Sequence, residues 1–169
     1  MEMEPAHVLD PGGTKLGAGR PACLRDNCRM PEGFTTPDLE ALARSTVEAA
    51  NRRDFDAMLD YAAPDVVYDT SPSGFGIYKG LPAIRDFIEG YWKAFDELRF
   101  DLEEFQDLGS GVTFAVNRHH ALPVGSSAPI QAREAQVIEW RDGFVVRVTV
   151  YIDIDAGRAA GERLAEQRG

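Results

Sequence analysis

Apolar side chains recur at helical spacing in the first half of the chain and at every second position in the second half. Leu39, Leu42, Ala43, Thr46, Val47 and Ala50 define one face of a first helix, opened by Thr36 as cap and Pro37 at the first helical position. Asn51-Arg52-Arg53 breaks that face. Asp54 then caps a short second helix that buries Phe55, Met58 and Leu59, and Pro64 ends it. Val66-Val67-Tyr68 reads as a short strand and Ser71-Pro72-Ser73-Gly74 as a loop. Lys79-Gly80-Leu81-Pro82 starts the clearest helix. Its stripe of Leu81, Ile84, Phe87, Ile88, Tyr91, Trp92 and Phe95 is wide and aromatic.

From Arg99 the period is two. Phe100 and Leu102 alternate with acids, and Asp107-Leu108-Gly109-Ser110-Gly111 is a turn. Val112, Phe114 and Val116 continue in register to Arg118 and His120. Residues 123–129 form a loop, 130–140 a strand, Arg141-Asp142-Gly143 a hairpin turn, and Phe144 to Ile154 a valine-rich strand. Residues from Ala156 read as a polar helix or a tail. This order predicts an α+β fold: a conical, curved antiparallel sheet wrapped around a long helix, with helices on one face. A curved sheet closed by a helical stripe has an interior, hence an internal pocket.

The 169 residues support one domain, with 27% charged residues and a net charge of -10. The acidic balance, with no Lys/Arg block, excludes nucleic acid as a partner, because phosphate contacts need clustered cations. No apolar run is long enough to span a membrane, so no membrane association is expected. Residues 1–37 hold five of the ten prolines and five of the sixteen glycines, with Phe34 the single aromatic. Such a segment buries too little apolar surface to offset the entropy of ordering, and it reads as a flexible leader ahead of a domain over 38–155. The two cysteines, Cys23 and Cys28, both lie in this leader. They make no disulfide framework and too few ligands for zinc, which fits a reducing, cytoplasmic setting.

Three runs carry a family resemblance: NRRDFDAMLDYAAPDVVYD from Asn51, YKGLPAIRDF from Tyr78, and IEWRDGFVVRVTVYIDI from Ile138. In order and spacing they resemble the nuclear transport factor 2-like superfamily and, more narrowly, its SnoaL-like branch. The resemblance spans about residues 38–155 and implies a cystatin-like α+β barrel, often a homodimer through the open sheet face. Its members include ketosteroid isomerases, limonene epoxide hydrolases, polyketide cyclases and non-catalytic binders, so fold alone licenses no reaction. Placed on this sequence, the isomerase base falls on Thr70, the isomerase Tyr on Thr46 and its second Asp near Gln136. The hydrolase Asp–Arg–Asp set falls on His120, Arg118 and Val150. Neither set is complete.

Alternation and resemblance together send Val112, Phe114, Val116, Arg118 and His120 inward from one strand. Ala132, Glu134, Gln136, Ile138 and Trp140 follow from the next, and Val146, Val148, Val150 and Ile152 from the last. The expected ligand-binding residues are Tyr68, Thr70, Phe87, Tyr91, Phe114, Gln136, Ile138 and Val150. The expected catalytic group is His120 for proton transfer, Glu134 to orient it or act as base, and Arg118 to stabilise an anion. Val145 and Tyr151 are expected to face away from the pocket, giving an apolar outer face for a homodimer.

No phosphate loop, HExxH or nucleophile elbow occurs, and His119 and His120 point to opposite faces of a strand, so no cofactor or metal is expected. Two readings follow. One is a small-molecule-binding protein acting as a cofactor-free acid/base enzyme (a cyclase, isomerase or hydrolase) on a small apolar carbonyl or cyclic compound. The alternative is a non-catalytic ligand-binding or dimeric accessory module.

Overall fold

The computed structural model describes residues 36–169, with side chains from Asp38 onward. The leader with its two cysteines, and the side chains of Thr36 and Pro37 that would cap the first helix, lie outside the described residues. Helix α1 spans Thr36–Asn51 and α2 spans Phe55–Leu59, capped by the Asp54 side chain, which accepts from the Ala57 amide. Strand β1 spans Ala62–Asp69, β2 Ile77–Lys79, helix α3 Leu81–Trp92, β3 Phe95–Gly109, β4 Val112–Pro123, β5 Ile130–Arg141, β6 Phe144–Tyr151 and helix α4 Ile154–Arg168.

The six strands form one curved, unclosed sheet in the order β2-β1-β6-β5-β4-β3. All neighbours are antiparallel except β1 and β6, which run parallel. Pro64 does not stop the second helix; it lies within β1, where the register with β6 shifts between Ala62 and Val67. A residue without an N–H fits such an irregularity. Two tight hairpins join the long strands. Ser110 and Gly111, and Asp142 and Gly143, all take positive φ, the backbone twist that matches two-residue turns between strands.

The helices do not share one face. Helices α1, α2 and α3 pack in the concave face, around Ala50, Val66, Ile84, Ile88, Trp92, Leu98 and Ala121. Helix α4 covers the other face, over Val112, Phe114, Val116, Ala135 and Val137. The polar reading of residues 156–169 comes from a helix whose buried face is made of small residues, Gly157, Gly161 and Ala165. Strand β4 is therefore buried on both sides, with residues 112–117 all below the surface. Its large side chains fill the α4 side. Its cavity side carries Ala115 and Asn117, and that difference in size leaves space inside the cone.

Candidate functional site

The concave side holds a cavity of about 360 Å³ lined by α1, α2, α3 and strands β1, β3, β4, β5 and β6. Most of its wall is apolar or aromatic, including Val47, Met58, Ile84, Phe87, Ile88 and Phe100. One patch is polar. Asn117 and His119 face in from β4, and Glu134 and Gln136 from β5. The antiparallel register sets them together, with Asn117 opposite Glu134, Ala115 opposite Gln136 and His119 opposite Ala132. A few convergent polar groups in an apolar hollow are the usual make-up of a small-molecule site.

Glu134 is the centre of that patch. Its Oε1 accepts from Gln136 Nε2 at 2.8 Å. Its Oε2 lies 3.4 Å from His119 Nε2, close enough for charge to be felt but misaligned for a hydrogen bond. The His119 ring stands edge-on to Phe100 at 4.4 Å between centroids. Two phenols respond to the carboxylate. Burial raises the Tyr68 pKa far above that of a free phenol, and the Glu134 charge adds to it, followed by Tyr91. Burial first and Glu134 second also raise Tyr91. Both hydroxyls thus stay protonated at neutral pH and remain donors. Arg133, the one cation in the described lining, gives its Nε to Glu103 Oε2 at 2.6 Å. Three residues of the lining each carry a buried polar atom with no hydrogen-bond partner among the described residues: Trp92 Nε1, Asn117 Oδ1 and His119 Nε2.

The structure divides the sequence-derived site. Tyr68, Thr70, Phe87, Tyr91, Glu134, Gln136, Ile138 and Val150 all line the cavity, and so does Thr46. Arg118, His120 and Phe114 do not, and the expected inward face of β4 is corrected by one residue. Phe114 is fully buried on the α4 side, with the Arg158 guanidinium 4.5 Å from its ring centre. Arg118 donates through Nε to Glu103 Oε1 at 2.5 Å, and His120 Nε2 lies 3.0 Å from Asp101 Oδ2. Both therefore pair with acids of β3 on the outer face, and neither meets Glu134. The reason is the double burial of β4: Val112 to Val116 are apolar or small at every position, so alternation does not say which set faces in. The missed residues are Asn117 and His119. The acids Asp101 and Glu103, ready partners for Arg118 and His120 across the β3–β4 pair, are the signal that would have found them.

A second parity change falls in β6. Val146 is the extra residue of a bulge, since Trp140 pairs with Val145 and Ile138 with Val148. Val145 consequently lines the cavity, and Val146 is absent from the described lining. Tyr151 does face away, but α4 lies over it.

This arrangement, a curved unclosed sheet around helices with a cavity between, is the nuclear transport factor 2-like and ketosteroid isomerase-like fold. The sequence profile of the SnoaL-like domain matches residues 43–148, and the chain belongs to that family. Solved structures share the fold. A nuclear transport factor 2-like protein of unknown function from Burkholderia pseudomallei is 23% identical, with a TM-score of 0.60 over 69% of this chain and 92% of that one. A putative polyketide cyclase from Xanthomonas campestris is 22% identical, with a TM-score of 0.58 over 73% and 96%. A protein with a ketosteroid isomerase-like fold from Catenulispora acidiphila, in complex with trimethylamine, is 12% identical, with a TM-score of 0.61 over 75% and 94%. No curated protein matches the sequence.

Proposed function

We propose that the cavity binds a small, largely apolar carbonyl or cyclic compound and that Glu134 moves a proton on it without a cofactor, in a cyclisation, isomerisation or hydrolysis. The observation that carries this reading is a carboxylate held by Gln136 and approached by His119 inside an otherwise apolar hollow. The carboxylate is aimed by its neighbours, as a positioned general base must be. Glu134 accepts a proton from carbon or oxygen beside a carbonyl. Tyr68 and Tyr91 line the same hollow, and their phenols are the donors for the oxyanion that develops. His119 is the second titratable group at the carboxylate and the natural relay for returning the proton. A solved structure of the same fold is described as a putative polyketide cyclase, which agrees with carbonyl chemistry. We propose further that the protein is a cytoplasmic homodimer. With α4 seated on the outer face, the partner would meet the part of that face beyond it, around Arg118 and His120.

The test needs no knowledge of the natural substrate. 5-Nitrobenzisoxazole loses its ring C–H proton to a base, its N–O bond breaks, and a coloured cyanophenolate is released. The protein should accelerate this saturably, and Glu134→Gln should lower the rate by about a hundredfold, the usual scale for removing a positioned base. A rate unchanged by Glu134→Gln would overturn the catalytic role. Saturable binding with no rate above buffer would leave the non-catalytic binder as the correct reading.

A further inference from the structure

Of the residues that line the cavity, Phe75, Ala132, Arg133 and Ile152 are exposed, and every other one described is buried or half-buried. These four share one end of the sheet. Strand β6 stops at Tyr151, which pairs with Ala135, and the two strands run antiparallel, so Ile152 leaves the sheet toward the stretch of β5 that holds Arg133 and Ala132. The segment between β1 and β2 is held to the same place, because Ser73 Oγ donates to the Val150 carbonyl at 2.9 Å. Among the described residues, the mouth of the cavity therefore lies between Phe75 on one side and Ile152 with Ala132 on the other. Arg133 is drawn away from it, since its Nε donates to Glu103 Oε2 at 2.6 Å.

Two large apolar side chains thus stand in water at the rim of an apolar hollow, Phe75 at 58% exposure and Ile152 at 64%. The Phe75 ring is the outermost of an aromatic series that runs inward. It lies 6.4 Å from Phe87 between ring centres, and Phe87 in turn lies 6.3 Å from Tyr91 and stacks on Tyr78 at 4.1 Å. The backbone around Phe75 is pinned. Thr70 donates through its amide and its Oγ1 to the Gly76 carbonyl, at 2.9 and 2.7 Å, and the Phe75 amide donates to the Thr70 carbonyl at 3.1 Å. The side chain is not pinned. Its neighbours in sequence are Gly74 and Gly76, and a Cβ built at Gly74 would meet nothing within 4 Å. What is free to move is the ring on a fixed backbone, between the staggered positions of its side chain.

We propose that Phe75 is the gate of the cavity: its ring swings between the exposed position and one laid across the mouth toward Ile152, and so sets how fast a ligand enters and leaves. This gate presupposes the ligand-binding part of the reading above and concerns the route into the cavity rather than the chemistry inside it. Closing covers apolar surface on Phe75, on Ile152 and on the ligand at once, so a bound apolar ligand favours the closed position. Because the backbone is fixed, the gate is one side chain and not a moving loop, and one substitution at an exposed position removes it.

The experiment is stopped-flow binding of N-phenyl-1-naphthylamine, a neutral apolar dye that brightens out of water, to the whole protein and to three variants. In Phe75→Ala the association rate constant should rise by about threefold, the scale set by three staggered side-chain positions of which one leaves the mouth open. The dissociation rate constant should rise further, by about tenfold, the scale of uncovering the exposed half of an aromatic side chain. Phe75→Trp, with a larger ring, should slow both. Ile77→Ala removes a residue that is 51% exposed near the same end but outside the described lining, and it should change neither rate. The sign of the association effect is decisive: a side chain that only adds sticky surface or one more wall contact makes association slower when it is removed, never faster. Saturable binding with association unchanged or slower in Phe75→Ala would overturn the gate and leave the cavity reading intact, as would an equal acceleration in Ile77→Ala. Failure of both wild type and Phe75→Ala to bind the dye would overturn the cavity reading, and the gate with it.

Discussion

The cavity owes its shape to how closely α4 lies on the far side of the sheet, and two glycines on that helix test the packing. A Cβ built at Gly157 would stand 2.9 Å from Ala135 Cβ and 3.2 Å from Tyr151 Cβ. Both atoms are attached directly to strand backbone, and Ala135 is fully buried, so only a shift of the helix relieves the overlap. A Cβ at Gly161 would also stand 2.9 Å from an atom, but that atom is Leu108 Cδ1, the end of a half-buried side chain that can rotate. Glycine to alanine inside a helix gains about 1 kcal/mol from propensity. Overpacking against an unyielding wall costs about 1–3 kcal/mol. Gly157 sits in the first turns of α4, where the gain is smallest, so Gly157→Ala should lose about 1–2 kcal/mol net. Gly161→Ala should range from neutral to about 1 kcal/mol more stable. For a domain of this size 1 kcal/mol corresponds to about 4 °C in Tm. Thermal and urea unfolding by circular dichroism should therefore move Gly157→Ala down by about 4–8 °C and leave Gly161→Ala level or slightly higher. Equal losses at both sites, or no loss at Gly157, would refute the close seating of α4.

Asp69 is buried and bonded by Ser71 and by the Arg147 guanidinium. Burial pushes its carboxyl up, and the Ser71 hydrogen bonds and Arg147 more than offset this, so its pKa is lowered. A depressed carboxyl stabilises the fold above its unfolded pKa and loses that contribution as pH falls through the folded value. Urea unfolding should thus show Asp69→Asn weaker by about 1–2 kcal/mol at pH 7, discounted for the partly exposed Arg147, with the gap closing below about pH 4. Asn117→Leu removes an unpartnered acceptor at nearly constant volume, and it should raise stability by about 1 kcal/mol in the same assay. Glu134→Gln removes a negative charge that raises Tyr91, so ultraviolet pH titration should find a tyrosine ionising at lower pH in the variant than in the wild type.

The elements with a clean period were legible in the sequence. The aromatic stripe of α3 and the Arg141-Asp142-Gly143 turn stand where the pattern puts them, although α3 ends at Trp92 and Phe95 opens the next strand. Strand β5 was legible for a physical reason: its cavity side carries Glu134, Gln136 and Trp140 between positions that differ in polarity. Strand β4 was not, because α4 removes the solvent that would have marked its other side. With Phe114 and Val116 on one face and Ala115 on the other, both hydrophobic, the eye follows the larger residues, and these fill the α4 side. A one-residue slip in a strand turns every side chain over, which exchanges His119 for His120 and Asn117 for Arg118. The bulge at Val146 repeats the effect in β6 on a smaller scale. Strand β2, with three residues, carried too little pattern to be seen.

The central claim is that the reactive wall lies on the cavity side of β4, where His119 meets Glu134, and not on the outer side with His120. The chain has three histidines, His7, His119 and His120, so the ring carbon–proton NMR spectrum is simple to assign. The most direct measurement compares that spectrum in wild type and Glu134→Gln. The His119 resonances should move with the substitution, while those of His120, held by Asp101, stay in place. Movement of His120 with His119 unchanged would contradict it.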